Sequence, residues 1–219
     1  MKYLLGLFYR IPHIIAVAII LYFNVSNSVQ PTATPEDYIG YDVFTGLLQG
    51  SLISIPILLF PAILMLLYPN RRAVLRDWFG KTNCTIWQGI SLFVLISLCS
   101  LALLTVVNPT EEQSILASFQ QLKGSEMLII STIICIIVPI VEEILFRGVL
   151  MQNLPTKFAI IFSAVFFALA HGSSIYLLPL FFTGWALAVV RAYTGSLYVT
   201  ICCHIAFNTQ SILVTYFNL

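Results

Sequence analysis

Residues 139–148 of this 219-residue chain read PIVEEILFRG and place two glutamates and an arginine within six positions of an otherwise apolar run. On membrane-insertion scales, each charged side chain near the centre of a spanning helix costs roughly 2.5–3.5 kcal/mol. Three unpaired charges would cost roughly 8–10 kcal/mol, which is comparable to the whole stability of a typical domain. The charges are therefore expected to be paired, to serve a function, or both.

The composition around this stretch is that of a protein embedded in a membrane. Hydrophobic residues make up 59% of the chain and charged residues 9%, whereas a soluble domain has about 25% charged residues. Membrane lipid is therefore the expected surrounding of most of the chain. The net charge of +1 gives no electrostatic basis for a nucleic-acid partner. The five cysteines lie mostly in apolar runs, which indicates buried free thiols.

Seven apolar segments are long enough to cross a bilayer, namely 3–23, 43–68, 86–107, 126–152, 156–171, 174–193 and 196–217. They predict an all-α polytopic transmembrane helix bundle of about seven spans. With the N-terminus inside, the outer connections hold Lys123, whereas the inner ones hold Lys2, Arg10, Arg71, Arg72, Arg76, Lys81, Lys157 and Arg191. Because basic residues mark the cytoplasmic side, we expect an N-in/C-out, multi-pass protein of a prokaryotic plasma membrane.

The chain divides near residue 125. Residues 1–125 hold the N-terminal spans and an amphipathic stretch at 110–122. That stretch opens with a capping box from Thr110 to Gln113, and its apolar face predicts a helix lying on the outer membrane surface. Residues 126–219 hold four spans and the charged cluster, so they are predicted to form a four-helix membrane core around that cluster.

The three charges of the cluster differ in their expected partners. Glu143 and Arg147 are four residues apart with the acid first, which is the favourable orientation for an ion pair on a helix. Glu142 points about 100° away from Glu143 and is left as the free carboxylate. Pro139 removes a backbone donor and is expected to free the carbonyl of Cys135. A purely structural clasp between helices is an alternative interpretation of this cluster.

Two intramembrane histidines add candidate partners for Glu142. His171 follows Phe167 by one turn near the end of the fifth span, and His204 precedes Asn208 by one turn in the seventh. A lone histidine in a membrane is more often a partner in helix packing than a ligand. However, Glu142, His171, His204 and Asn208 lie roughly 17, 22, 12 and 18 Å from the inner membrane surface, in a core about 30 Å thick. They can converge near the midplane, where they would bind and activate a water molecule.

Three segments, EEILFR, FALAH and HIAFN, match in order the EExxxR, FxxxH and HxxxN signatures of the CPBP family of intramembrane proteases. Over residues 139–208 the chain therefore resembles this family, which includes the type II CAAX prenyl endopeptidases and the Abi-like bacteriocin-processing and self-immunity proteins. The resemblance implies that Glu142 activates water with the help of His171. It implies that His204 and Asn208 stabilise the oxyanion. The supporting residues that it implies are Glu143, Arg147 and Phe167.

The predicted function is an intramembrane endopeptidase in which glutamate-activated water cleaves a membrane-associated protein or peptide. Its substrate would be a prenylated CAAX protein, or a leader or pheromone peptide. Zinc is an open alternative as cofactor, with His171 and His204 as ligands beside either glutamate, although the chain has no HExxH motif. Two other function classes stay open, namely a proton-coupled transporter and a non-catalytic immunity or binding protein.

Overall fold

The structure is a computed structural model that describes residues 43–67, 71–80, 87–94, 97–98, 122–171 and 177–217. These residues contain helices and no strand, so the all-α prediction is confirmed for this part of the chain. The helices are α1 (Val43–Leu67), α2 (Arg71–Phe79), α3 (87–94), α4 (Ser125–Asn153), α5 (Thr156–Ala170), α6 (Leu177–Thr194) and α7 (Leu197–Phe217).

Three of these helices are long and apolar enough to cross a membrane, namely α4, α6 and the stretch Leu197–Val214 of α7. Shorter apolar stretches lie in α1 and α5. The predicted first span at 3–23 and nearly all of the predicted surface helix at 110–122 lie outside the described residues, as does part of the span at 86–107. The count of seven spans and the N-in/C-out orientation therefore stay predictions.

The central helix α4 is not a regular α-helix along its whole length. Two π-helical stretches, Ile133–Ile137 and Ile144–Leu150, flank the six-residue α-helical segment Val138–Glu143. A π turn spaces its hydrogen bonds one residue further apart than an α turn does, and such turns are frequent at functional sites. Each residue of an α-helix turns the chain by about 100°, so the extra residue in a π turn rotates all the side chains that follow it. The first π stretch therefore affects the direction in which the side chains of Glu142 and Glu143 point.

The main hydrophobic core forms around α4. Phe146 and Val149 of α4 are fully buried there. They belong to one cluster with buried side chains of four other helices, namely Leu58 and Ala62 of α1, Val74 and Trp78 of α2, Phe167 of α5, and Leu197 and Ile201 of α7. The charged residues of α4 are therefore held in a helix that neighbours pack on several sides.

Helices α5 and α6 pack closely because residue 184 is glycine. A Cβ atom at Gly184 would lie 2.9 Å from Cδ1 of Phe167 and 3.2 Å from Cα of Ala164. Real Cβ contacts are rarely this short, so a larger residue would push the two helices apart. This close approach also brings the backbone of α6 next to the charged face of α4.

The short helix α2 is fixed to α4 and α6. The Trp78 side chain is 2% exposed, and its ring packs so closely on Gly148 that a Cβ there would lie 3.0 Å away. Arg191 of α6 donates from Nη2 to the Asp77 carboxylate at 2.7 Å and to the Asp77 carbonyl at 3.1 Å. The helix α2 is thereby connected to α4, which carries the charged cluster, and to α6, which packs beside it.

Candidate active site

The ion pair expected from the sequence is present in α4. Arg147 Nη1 lies 2.7 Å from Glu143 Oε1, and neither side chain is exposed. Arg147 Nη2 also donates to the carbonyl of Gly184 at 2.8 Å, and the guanidinium carbon lies 4.6 Å from the centre of the Phe167 ring. These contacts give a fully buried cation a carboxylate, a carbonyl and an aromatic face as partners, while its Nε has no hydrogen-bond partner among the described residues. They join α4 to α5 and α6.

The same carboxylate oxygen also binds a histidine. His204 Nδ1 lies 2.9 Å from Glu143 Oε1. A carboxylate paired with arginine accepts hydrogen bonds and does not donate them, so His204 Nδ1 carries the hydrogen. The other ring nitrogen, Nε2, then faces the opposite direction. Glu143 thus fixes the orientation of an imidazole that comes from a helix 61 residues further along the chain.

The second glutamate lies between two imidazole rings. Glu142 Oε1 is 3.7 Å from His171 Nε2, and Glu142 Oε2 is 3.7 Å from His204 Nε2. Both separations exceed a direct hydrogen bond, and polar groups at such distances are commonly bridged by water. Among the residues that the structure describes, Glu142 forms no ion pair with an arginine, and it is positioned to share a water molecule with either ring.

His171 follows the last residue of α5, and its backbone determines how its ring is turned. Its Nδ1 lies 2.7 Å from the carbonyl oxygen of Phe167. Because a carbonyl accepts, Nδ1 carries a hydrogen, and Nε2 is turned towards Glu142. The His171 side chain is 31% exposed, against 3% for His204. The site therefore opens on the His171 side and is closed on the His204 side.

Asn208 lies one turn beyond His204 on α7, but its amide is bonded to the backbone of α4. Its Nδ2 donates to the carbonyl of Ile134 at 3.0 Å. Ile134 belongs to the first π-helical stretch. One amide hydrogen of Asn208 is therefore used in a hydrogen bond to the backbone of α4.

The donor set can be compared with the predicted zinc site. Both imidazoles turn Nε2 towards Glu142, while each Nδ1 is held by an acceptor, and this is the usual arrangement of histidines around zinc. However, within the part of the chain that the structure describes, no group of three His, Cys, Asp or Glu side chains is close enough to hold a metal ion. The side chains as placed do not fit a three-ligand zinc site, so no step below is assigned to a metal.

The structure connects six of the seven predicted site residues through their side chains. These six are Glu142, Glu143, Arg147, Phe167, His171 and His204. Asn208 contacts the backbone of the same helix instead. Sequence reasoning missed Gly184 and Ile134, whose carbonyls accept two of the bonds that hold this network. A glycine inside an apolar helix indicates close helix packing, which is the one signal in the sequence that pointed to Gly184.

Comparison with known proteins agrees with this geometry. Residues 124–210 match the family model described as type II CAAX prenyl endopeptidase Rce1-like. The match covers less than half of the chain and extends from the start of α4 into α7, so it contains all three motifs and every residue of the network. No curated protein and no solved structure matches the chain significantly. Over residues 124–210, the chain is therefore similar to the type II CAAX prenyl endopeptidases of the CPBP family.

Proposed function

We propose that this protein is an intramembrane endopeptidase that uses Glu142 to activate water. The observation that carries the proposal is the position of Glu142, with each carboxylate oxygen 3.7 Å from an imidazole Nε2. The residue is 9% exposed, and it lies on a helix long and apolar enough to cross a membrane. A carboxylate in such a place is energetically costly, and ionisable residues inside membranes usually serve a function. The family match supports the same class of reaction.

The chemistry follows from the partners of Glu142. A water molecule hydrogen-bonded to Glu142 loses a proton to the carboxylate as its oxygen attacks the peptide carbonyl carbon. The tetrahedral intermediate then collapses, the C–N bond breaks, and Glu142 returns the proton to the departing amine. The carboxylate ends the cycle ionised, so the reaction consumes one water and leaves the enzyme unchanged.

The two histidines have different tasks in this scheme because their surroundings differ. His171, on the exposed edge, accepts the second hydrogen of the attacking water at Nε2 and so orients it. His204 is buried and held by Glu143, so it is the group assigned to the oxyanion. To donate from Nε2, His204 must carry a proton on both nitrogens, because its Nδ1 hydrogen is already donated to Glu143. Donors fixed in a buried site of this kind contribute more than they would in water.

The substrate class that we propose is a membrane-associated protein with a prenylated CAAX terminus. The description of the matching family supports it, and the intramembrane position of the site suits a lipid-anchored peptide. A leader or pheromone peptide without a prenyl group is the competing substrate. Parallel assays with a farnesylated CAAX peptide, the same peptide lacking farnesyl, and an unprenylated leader-type peptide distinguish the two.

The proposal is tested by Glu142→Gln in the purified protein reconstituted in lipid. We expect this change to remove a base while keeping the shape of the side chain, so peptide cleavage falls by about 10²–10⁴-fold and thermal unfolding is nearly unchanged. Glu126→Gln is the matched control, because Glu126 lies in the first turn of the same helix, away from the site. We expect it to retain full activity.

Near-normal cleavage by Glu142→Gln would refute the mechanism. Failure of the wild-type protein to cleave all three peptides would favour the non-catalytic alternative. Elemental analysis of the active preparation accompanies the assay, and zinc that is stoichiometric and tracks activity would assign the water-activating role to a metal.

A further inference from the structure

The first π-helical stretch of α4 leaves one backbone carbonyl without its regular donor. In this stretch the N–H of Val138 donates to the carbonyl of Ile133, five residues earlier. In the same register the next donor would be residue 139, directed at the carbonyl of Ile134. Residue 139 is proline and has no N–H. The carbonyl of Ile134 therefore lacks the bond that the helix would otherwise provide.

The missing donor comes from another helix. Nδ2 of Asn208 lies 3.0 Å from the Ile134 oxygen, so the carboxamide of α7 replaces the absent N–H of Pro139. An unsatisfied backbone carbonyl is expensive in a membrane, where no water is at hand to bind it. Proline in a membrane helix is tolerated when a neighbouring side chain satisfies the freed group.

We propose that Asn208 is a positioning residue, which holds the π-helical turn of α4 by replacing the N–H that Pro139 lacks. The inference rests on the proposed function, because the residue that it positions is Glu142. Glu142 lies three residues beyond Pro139, and about two turns beyond Ile134, whose carbonyl Asn208 supports. Releasing the π turn lets the parts of α4 before and after Pro139 rotate relative to each other. Glu142 then leaves its place between the two imidazoles.

The proposal predicts that a new backbone N–H at residue 139 makes Asn208 dispensable. The experiment is a double-mutant cycle with Asn208→Ala, Pro139→Ala and the two changes combined, measured in the full-length protein in lipid. We expect Asn208→Ala to lower kcat by about 10- to 100-fold, because a small displacement of a catalytic group has effects of this size. KM should change little. Pro139→Ala alone should stay close to wild type, and the combined variant should recover most of the lost kcat.

Rescue separates a positioning role from an oxyanion role. If the Asn208 side chain donates to the oxyanion, a backbone N–H at residue 139 does not replace it, and the combined variant stays as inactive as Asn208→Ala. The thermal midpoints give a second readout that does not depend on activity. Asn208→Ala should destabilise the Pro139→Ala variant less than it destabilises the wild type, because the new N–H of residue 139 can bind the Ile134 carbonyl. The effects of mutations that share one interaction on stability are not additive.

Every outcome of the cycle decides the proposal. Additive effects on both kcat and thermal midpoint, or wild-type behaviour of Asn208→Ala, would overturn it. If Asn208→Ala yields no folded protein, recovery of folded protein by adding Pro139→Ala supports the proposal, and its absence contradicts it. Glu142→Gln measured in parallel keeps the two claims apart, since its loss of activity upholds the proposed function whether or not the cycle shows rescue.

Discussion

Glu142 and Glu143 are adjacent in the chain but have different partners. Glu143 binds Arg147 and His204 through one oxygen, whereas Glu142 stands 3.7 Å from each imidazole Nε2. A paired carboxylate is held and cannot easily take a proton, while a carboxylate at water-bridging distance can. These contacts are the basis of our proposal that Glu142 is the base and Glu143 the supporting residue.

Replacing the paired glutamate should affect folding more than chemistry. Glu143→Gln leaves Arg147 as a buried cation without its carboxylate, and breaking such a pair typically costs about 3–5 kcal/mol. We expect a large drop in the free energy of unfolding and in the yield of inserted protein, measured by thermal unfolding in detergent and by membrane fractionation.

The combined variant Glu143→Gln, Arg147→Gln is the control for this prediction. It removes both charges, so it should be less destabilised than the sum of the two single changes. Equal stability of Glu143→Gln and the wild type would show that the ion pair does not hold the site together.

The ion pair was predictable from the sequence, whereas the bond to His204 was not. Spacing rules on a helix identify neighbours three or four residues apart, and Glu143 and Arg147 satisfy them. The spacing of 61 residues between Glu143 and His204 carries no such information. Estimated depth in the membrane brought the histidines to the level of Glu142, but it did not assign their ring nitrogens.

The ends of the helices were predicted well from the sequence, whereas the π-helical hydrogen-bond register within α4 was not. The predicted segments 156–171 and 196–217 correspond to Thr156–Ala170 and Leu197–Phe217, because length and apolar content define a membrane helix and turn residues end it. The freed carbonyl was expected at Cys135, four residues before Pro139. In the observed π register it falls on Ile134, five residues before, since proline alone does not reveal which register the helix adopts.

Gly184 provides a test of helix packing. A Cβ there would meet the Phe167 ring at 2.9 Å, and overpacking of this kind typically costs about 1–3 kcal/mol. We expect Gly184→Ala to lower the thermal midpoint and to reduce cleavage, because separating α5 from α6 also moves the carbonyl that holds Arg147.

Ala192→Val is the matched control, since it adds volume to the same helix at an exposed position. It should leave both stability and cleavage near wild type. Equal behaviour of Gly184→Ala and Ala192→Val would mean that the close approach of α5 and α6 is not needed for the site.

For the whole molecule, the excess of basic residues predicts the side on which each connection lies. Arg76 of α2 is exposed and is expected to face the cytoplasm, whereas residue 34 is expected outside. In a variant without native cysteines, an impermeant thiol reagent added outside should label a cysteine at residue 34 and spare one at residue 76. The opposite pattern would invert the predicted topology.

Two ion pairs among the described residues, one fully buried and one partly exposed, differ in when they can form during synthesis. Glu143 and Arg147 lie within one helix, so their charges can neutralise each other as soon as α4 has coiled, before α6 or α7 has been translated. The new helix can thus enter the bilayer with Glu143 and Arg147 as a neutral ion pair and not as two separate charges. Asp77 and Arg191 are 114 residues apart, and their contact closes after α6 has emerged. The charges of α4 can therefore be paired before the short helix α2 is joined to α6.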